Sequence, residues 1–278
     1  MSANRTVPVL MYHHVSPVDG MINCSPANFE DQLQWLARHG YRSLTCEQFA
    51  AHLSGQPAPA KSILITFDDG YLDNWVYAYP LLKKYGFHGV VFLVTSWIGD
   101  GPARPCLGSG ALPETPDHRE CEQRIADGRA DDVMLRWSEI LAMREQGVME
   151  FHSHTHTHTR WDLLDEDKNA RMAQELVLSR QTLQERLGEV SAHFCWPQGY
   201  FDQDYITLAQ QAGFRYLYTT QAFGRNRPGA DPSRIYRFAV RNTTGGSVGR
   251  RVIVAAHPLI GPLFNKFKRW KRGRGGRA

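Results

Sequence analysis

Several features that would identify other classes of protein are scarce or missing in this sequence. Its 278 residues include only five cysteines, an odd number, and no C-x-x-C pair. This argues against a disulfide framework and a thiolate metal centre, and it favours a reducing compartment. No segment approaches the ~20 apolar residues of a membrane-spanning helix, and residues 1–8 lack the apolar core of a signal peptide. We therefore expect a cytoplasmic protein.

What the sequence does contain is ordinary for a soluble protein until its last residues. Hydrophobic residues make up 42% and charged residues 22%, which is typical of a globular chain with a sizeable core. The net charge is only +4, but residues 266–277 carry seven Lys and Arg and no acid. We predict a domain over 1–245 and a basic amphipathic tail over 246–278.

Apolar residues recur at helical spacing just before and within the basic run: Leu259, Ile260, Leu263, Phe264, Phe267 and Trp270. One interpretation is a solvated basic tail. The other is peripheral attachment to an anionic lipid surface on the inner face of the cytoplasmic membrane. Binding to nucleic acid is not predicted, because no recognition module accompanies the tail.

Short apolar runs alternate with helix-like segments along most of the chain. Strands are predicted at 7–12, 41–44, 62–66, 89–94, 148–151, 192–196, 215–219 and 235–240. Helices between them are predicted at about 26–39, 45–53, 74–85, 138–146, 165–187 and 202–212, with a long loop or insertion at 95–134. This order predicts an α/β fold, a distorted (β/α) barrel of about seven to eight mainly parallel strands.

Unusual polar residues follow four of the predicted strands. They are His13 and His14, then Asp68-Asp69-Gly70, then His154 and His158, and finally Gln198-Gly199. The carboxyl ends of barrel strands meet at one face, where active sites lie. The sequence therefore predicts an active site built from these clusters.

Two of the clusters have the chemistry of a metal site. Four histidines alternate over residues 152–158, and two imidazoles with one carboxylate form a catalytic rather than a structural zinc site. Spacing alone does not decide which two bind. Asp68 and Asp69 point in opposite directions on an extended chain, so one can bind the metal while the other acts as a general base.

The segment Thr66–Gly70 resembles the first motif of the NodB-type polysaccharide deacetylases, carbohydrate esterase family four. The segment Glu150–His158 is similar to the second motif. The resemblance implies that Asp68 is the base and that Asp69, His154 and His158 hold a divalent metal, with Zn²⁺ expected. His152 then stands where the family usually has Gly, and His156 at a variable position.

The family's third motif is matched less closely by Phe194–Gly199. Cys195 replaces the arginine that orients the base, and Gln198 replaces an aromatic residue but keeps the backbone N–H that binds the oxyanion. For the general acid, His13 in Leu10–His13 resembles the permuted arrangement of poly-N-acetylglucosamine deacetylases. It is preferred to the alternative, His257. Substrate contacts are predicted at His14, Tyr71, Trp196, Pro197 and Gly199.

These features together predict a hydrolase that removes the N-acetyl group from an N-acetylhexosamine. The expected substrate is a polysaccharide or a lipid-linked precursor of lipopolysaccharide or capsule type. The alternatives are a deacetylase of an extracellular exopolysaccharide and an inactive carbohydrate-binding protein on the same fold. An iron oxygenase with two His and one carboxylate is disfavoured, because such sites usually lie on jelly-roll β folds.

Overall fold

Parallel strands and the helices that connect them build the fold. A computed structural model of the chain describes residues 6–164 and 166–275. The strands are β1 (Val9–Tyr12), β2 (His14–Val15), β3 (Asn23–Cys24), β4 (Arg42–Ser43), β5 (Ser62–Asp69), β6 (Gly89–Leu93), β7 (Met149–Ser153), β8 (His193–Cys195), β9 (Tyr216–Tyr218) and β10 (Phe238–Ala239).

Helices connect most of these strands and form the outer layer. They are α1 (Pro26–Arg38), α2 (Cys46–Leu53), α3 (Tyr79–Tyr85), α4 (His118–Ala126), α5 (Trp137–Glu145), α6 (Trp161–Leu164), α7 (Lys168–Leu187), α8 (Gln203–Gln211), α9 (Gly245–Ala256) and α10 (Ile260–Gly275). A π-helical turn, Asn74–Ala78, precedes α3, and short 3₁₀ turns lie at Ala130–Asp132, Pro197–Gly199 and Pro232–Arg234.

The main sheet has the order β10-β1-β5-β6-β7-β8-β9, with β4 paired to the start of β5. Every pairing in it is parallel among the described residues. The segment before β10 also bridges the other edge, through Ile235 and Tyr218. The curled sheet confirms the predicted distorted barrel.

Local sequence signals explain where the first helices begin. The Ser25 side chain accepts a hydrogen bond from the Asn28 backbone and caps α1. Thr45 and Gln48 form the capping box that starts α2, as the sequence predicts. These caps satisfy backbone N–H groups that have no partner within the helix, so both starts are fixed locally.

Strand β5 is longer than predicted, and this positions the acidic pair. It continues past Thr66 because Asp68 and Asp69 pair with Phe92 and Leu93 of β6. The turn follows at Gly70, where φ is +90° and a Cβ atom would lie 2.7 Å from Leu93 Cδ2. Only glycine fits there, so the strand must end directly after Asp69.

Two predicted helices differ in detail from the observed ones. The helix expected over 74–85 begins as a π-helical turn, in which Asn74 Nδ2 donates to the His13 carbonyl (2.8 Å) and ties the turn to β1. The helix expected over 165–187 is α7 from Lys168 onward, and Asp165 lies outside the described residues.

The C-terminal part needs a correction to the predicted domain boundary. Helix α9 packs against α1, with Val248 and Val252 buried in the core. At Gly249 a Cβ atom would lie 2.4 Å from the Trp35 ring, so glycine permits this close approach. A boundary after residue 245 therefore falls too early, because the packed part extends to Ala256. No helix among the described residues has the length and apolar character needed to span a bilayer.

Candidate active site

Three donor groups converge where β5 and β7 end. Asp69 Oδ1 lies 3.3 Å from His154 Nε2 and 3.5 Å from His158 Nε2. That oxygen is buried and accepts no hydrogen bond from the described residues. A buried carboxylate oxygen facing two imidazole nitrogens suits a divalent cation. The structure thus brings together the predicted ligand set.

The ionisation states of Asp69 and His158 also suit a cation. Burial raises the pKa of Asp69, but the close contact with the His154 imidazole and the nearby histidine charges lower it more, so its pKa lies well below the usual range. Burial lowers the pKa of His158 to about 4, although the Asp69 charge opposes the shift. Burial lowers the pKa of His154, but Cys195 and the two nearby carboxylates raise it more. His154 Nδ1 faces the Cys195 carbonyl at 2.8 Å, which leaves Nε2 free to bind metal.

A buried carboxylate on α7 holds the loop that carries the two histidines. Glu175 Oε2 accepts hydrogen bonds from the backbone N–H of His156 (2.8 Å) and of Thr157 (2.7 Å), and Oε1 accepts from the Thr157 hydroxyl (2.6 Å). The His156 ring turns away to Thr95 Oγ1. Glu175 therefore positions the loop, a role that no motif in the sequence indicates.

Backbone strain is concentrated around this site. Of five non-glycine residues with positive φ in the described ranges, four lie here: Asp69 (76°), Thr155 (71°), His158 (63°) and Gln198 (52°). Such conformations cost about 1–3 kcal/mol each and persist where surrounding contacts impose them. The packing of the barrel thus imposes backbone strain where the ligands are placed.

A guanidinium group that sequence analysis missed orients Asp68. Arg237 Nη1 and Nη2 donate to Asp68 Oδ1 (2.6 Å) and Oδ2 (2.8 Å), and both side chains are buried. Burial raises the pKa of Asp68, but Arg237 outweighs this effect and the pKa is lowered. Asp68 is therefore ionised and held by both oxygens.

Arg237 compensates for the arginine that is absent from the third motif. Cys195 Sγ lies 2.9 Å from Arg237 Nη2, and burial raises the pKa of this thiol. A neutral thiol therefore occupies the motif position, while the positive charge comes from the segment just before β10. The sequence signal that could have identified Arg237 is its position as an isolated charge in a predicted buried strand. A buried charge needs a partner.

His13 lies beside Asp68 in the wall of the site. Its Nε2 lies 3.8 Å from Asp68 Oδ2, and its side chain is part-exposed. Burial lowers the pKa of His13, while the charges of Asp68 and Asp69 oppose that shift. The alternative, His257, ends α9 and its Nδ1 accepts hydrogen bonds from the backbone of the next helix. The geometry therefore favours His13.

A cavity of about 160 Å³ opens over these groups. Two residues of the predicted site, Tyr71 and Gln198, line it. Its remaining wall includes side chains that sequence analysis did not select, from the 95–134 segment and elsewhere. The lining residues are His13, Ile22, Asp68, Asp69, Tyr71, Trp97, His118, Glu122, His154, His158, Gln198 and Thr220.

Four residues predicted as substrate contacts are not among the described residues that line this cavity. The His14 ring is buried, with Nδ1 2.6 Å from Asp73 Oδ2, and it stacks on Tyr71. Trp196 is fully buried in the core. The other two, Pro197 and Gly199, form the turn that carries Gln198. His14 thus contacts a lining residue, Tyr71, and the turn positions another, Gln198.

Comparison with known proteins identifies the family of the chain. A family model described as polysaccharide deacetylase matches residues 55–217, more than half of the chain. The chain therefore belongs to the polysaccharide deacetylase family. His13 and Arg237 both lie outside the matched residues, so two polar groups of the site come from the flanking strands.

Individual relatives match this chain over only part of their length. A Bacillus subtilis relative, YxkH, is 40% identical over 94 residues, which is 34% of this chain and 33% of that protein. The poly-β-1,6-N-acetyl-D-glucosamine N-deacetylase of Staphylococcus aureus is 24% identical over 204 residues, which cover 71% of this chain and 61% of the relative. The matches thus span less than two thirds of these relatives.

Solved structures share the fold. IcaB from Ammonifex degensii has a TM-score of 0.71 at 24% identity, covering 90% of this chain and 98% of that chain. The Streptococcus pyogenes deacetylase PplD, in complex with acetate, also gives 0.71, at 20% identity and with 91% and 99% covered. At these identities the likeness establishes the fold.

Proposed function

We propose that this protein is a metal-dependent hydrolase that removes the N-acetyl group from an N-acetylhexosamine in a glycan. The observation that carries the proposal is the convergence of Asp69, His154 and His158 beside the Asp68–Arg237 pair and His13, all at one cavity. The name of the Staphylococcus aureus relative makes a β-1,6-linked N-acetylglucosamine polymer the first substrate to test.

Asp69, His154 and His158 would hold the metal, and three protein ligands leave positions open for water and substrate. We expect Zn²⁺, although this donor set also suits other divalent ions. A bound ion of this kind polarises the acetyl carbonyl and lowers the pKa of water. The orphaned Asp69 oxygen supports this assignment.

The remaining steps use groups of the chain itself. Asp68 accepts the proton of the attacking water, since Arg237 keeps it ionised and fixes both of its oxygens. His13 gives a proton to the leaving amine nitrogen. The Gln198 backbone N–H, presented by its left-handed turn, stabilises the oxyanion. The products are the free amino sugar and acetate.

The alternative functions fit the site less well. A protein that only binds carbohydrate needs neither a buried ionised base nor a histidine beside it, yet both face the cavity. The iron-oxygenase alternative is disfavoured by the parallel barrel. Hydrolysis is the reaction that accounts for the positions of all these groups.

A lipid-linked substrate is part of the proposal, and helix α10 supports it. Leu259, Leu263, Phe267 and Trp270 are exposed beside a basic run. Apolar anchors next to Lys and Arg suit an anionic lipid surface. All five cysteines are free thiols, which fits a location on the inner face of the cytoplasmic membrane.

The test is acetate release from β-1,6-linked N-acetylglucosamine oligomers and from lipid-linked N-acetylhexosamine precursors. We expect release by the Zn²⁺-loaded wild type, its loss on chelation and its recovery when metal is restored. His158→Ala should stay inactive after metal is added. Acetate release that is unchanged by chelation would contradict the proposal.

A further inference from the structure

A second cluster of metal-binding side chains lies at the opposite end of the barrel from the active site. Cys46 begins α2, Glu150 and His152 lie on β7, and His88 directly precedes β6. Alternate residues along β7 and just beyond its end point to the same face, and these include Glu150, His152 and the active-site ligand His154. One face of this segment therefore carries residues of both clusters. Four donor side chains from three separate segments thus meet near the amino ends of the strands.

The distances within this cluster match those of the active-site ligands. Glu150 Oε1 lies 3.4 Å from His88 Nε2, and Glu150 Oε2 lies 3.6 Å from His152 Nε2. Ligand atoms of Cys46, Glu150 and His152 all lie within 4.8 Å of one another. Ligands at about 2.0–2.3 Å from a tetrahedral Zn²⁺ are separated by roughly 3.3–3.8 Å. The Glu150–His152 distance falls in this range, and the 4.8 Å limit on the three side chains places Cys46 close enough to join them around one ion after a small adjustment.

The imidazole nitrogens that face the cluster lie near Glu150 but form no hydrogen bond with the described residues. The Nε2 atoms of His88 and His152 are buried and lack a hydrogen-bond partner among the described residues. His152, which is 6% exposed, has its Nδ1 2.5 Å from Ser191 Oγ. His88 Nδ1 lies 3.1 Å from the Gly147 carbonyl. Each ring is thus oriented by one nitrogen and offers the other, as metal-binding histidines do.

We propose that Cys46, Glu150 and His152 form a second divalent-cation site that takes Zn²⁺. His88 Nε2 faces the other Glu150 oxygen and would orient that carboxylate. Thiolate, imidazole and carboxylate together are zinc donors, and the soft sulfur disfavours Mg²⁺ and Ca²⁺. A cavity of about 430 Å³, lined in part by these residues, gives an ion access.

The position of the cluster indicates a structural role for the ion. Residues at the amino ends of barrel strands serve stability, whereas catalysis belongs to the opposite face. The ion would join α2 to β7. The Cys46 backbone N–H already donates to Glu150 Oε1 at 2.6 Å and holds the carboxylate in place. On binding, the Cys46 thiol loses its proton to solvent and forms the sulfur–metal bond.

The test uses the full chain, stripped with chelator and reloaded with Zn²⁺ or Co²⁺. We expect two equivalents of Zn²⁺ per wild-type chain after gel filtration, and one equivalent for His158→Ala, which removes only the active-site ion. Cys46→Ser and Glu150→Gln should each also hold one equivalent. Co²⁺-loaded wild type and His158→Ala should both show near-ultraviolet sulfur-to-cobalt absorption.

Cys195→Ser is the matched control, because Cys195 is the buried thiol near the active-site ligands. It should keep the sulfur-to-cobalt band, and Cys46→Ser should lose it. One equivalent of Zn²⁺ in the wild type, or a band that survives Cys46→Ser, would overturn the proposal and leave the cluster as a polar network. Because the wild-type stoichiometry and the His158→Ala band need no variant of the cluster, the test holds even if one such variant fails to fold.

Discussion

Replacing Arg237 by methionine tests how the base is held. Methionine fills most of the space of the arginine stem but donates no hydrogen bond. Asp68 would then remain buried without its two hydrogen bonds of 2.6 and 2.8 Å. Burial would act on its pKa with less opposition, so we expect that pKa to rise from its lowered value.

The size of the effect follows from these contacts. Hydrogen bonds to a charged group contribute about 1.5–3 kcal/mol each, so two of them amount to roughly 3–6 kcal/mol. Breaking a buried ion pair by removing one partner costs about 3–5 kcal/mol, which is the same range. We therefore expect Arg237→Met to lower the free energy of unfolding by about 3–5 kcal/mol at neutral pH.

The sign of the pH dependence follows from the pKa direction. In the wild type the pKa of Asp68 is depressed, so its contribution is present above the unfolded value of about 3.9 and is lost as pH falls through the folded pKa. In Arg237→Met a protonated Asp68 no longer suffers the burial penalty. The difference between the two proteins should therefore shrink toward pH 4.

Denaturant unfolding at pH 7 and pH 4 measures this, with Asp68→Asn/Arg237→Met as the control. The double variant should recover most of the lost stability, because no buried charge remains. The acidic limb of the acetate-release profile should move to higher pH in Arg237→Met. Equal destabilisation at both pH values, or no recovery in the double variant, would refute the reasoning.

Three further predictions concern other parts of the chain. Glu175→Ala leaves the buried backbone N–H groups of the His156 loop unpaired, so the free energy of unfolding should fall by about 1–3 kcal/mol per group. Calorimetry should also show weaker metal binding at the active site. Unchanged metal affinity would contradict the positioning role of Glu175. Gly249→Leu forces a side chain against Trp35 and should destabilise by about 1–3 kcal/mol; an unchanged melting temperature would contradict the α1–α9 contact. A chain ending at Leu259 should lose binding to phosphatidylglycerol vesicles in sedimentation, while the full chain binds them and ignores phosphatidylcholine; equal partitioning would contradict membrane attachment.

Structural features that depend on residues close together in the sequence could be predicted from the sequence alone. The caps at Ser25 and Thr45 are local, and so is the strand–helix alternation that predicts the barrel. The candidate ligand set could be predicted because Asp69, His154 and His158 all lie at or just beyond the carboxyl ends of parallel strands, which meet at one face. Motif resemblance then selected two histidines from four.

The features that escaped prediction depend on long-range contacts. Arg237 reaches Asp68 across 169 positions of sequence, and no local pattern encodes that pair. His14 follows a strand like His13, yet its side chain turns to Asp73, which alternation could not reveal without the partner. The second cluster of metal-binding side chains could not be predicted for the same reason, because His88 and Cys46 join Glu150 only in the folded barrel.

The most direct test of the account compares Asp68→Asn with the wild type after loading with Zn²⁺. Asparagine keeps the shape of Asp68 but cannot accept the proton of water, whereas Asp69, His154 and His158 are unchanged. The account predicts that the variant keeps its active-site metal, by elemental analysis in a Cys46→Ser background, and releases no acetate from N-acetylglucosamine oligomers. Acetate release near the wild-type rate by the metal-loaded variant would contradict the assignment of the base and, with it, the proposed chemistry.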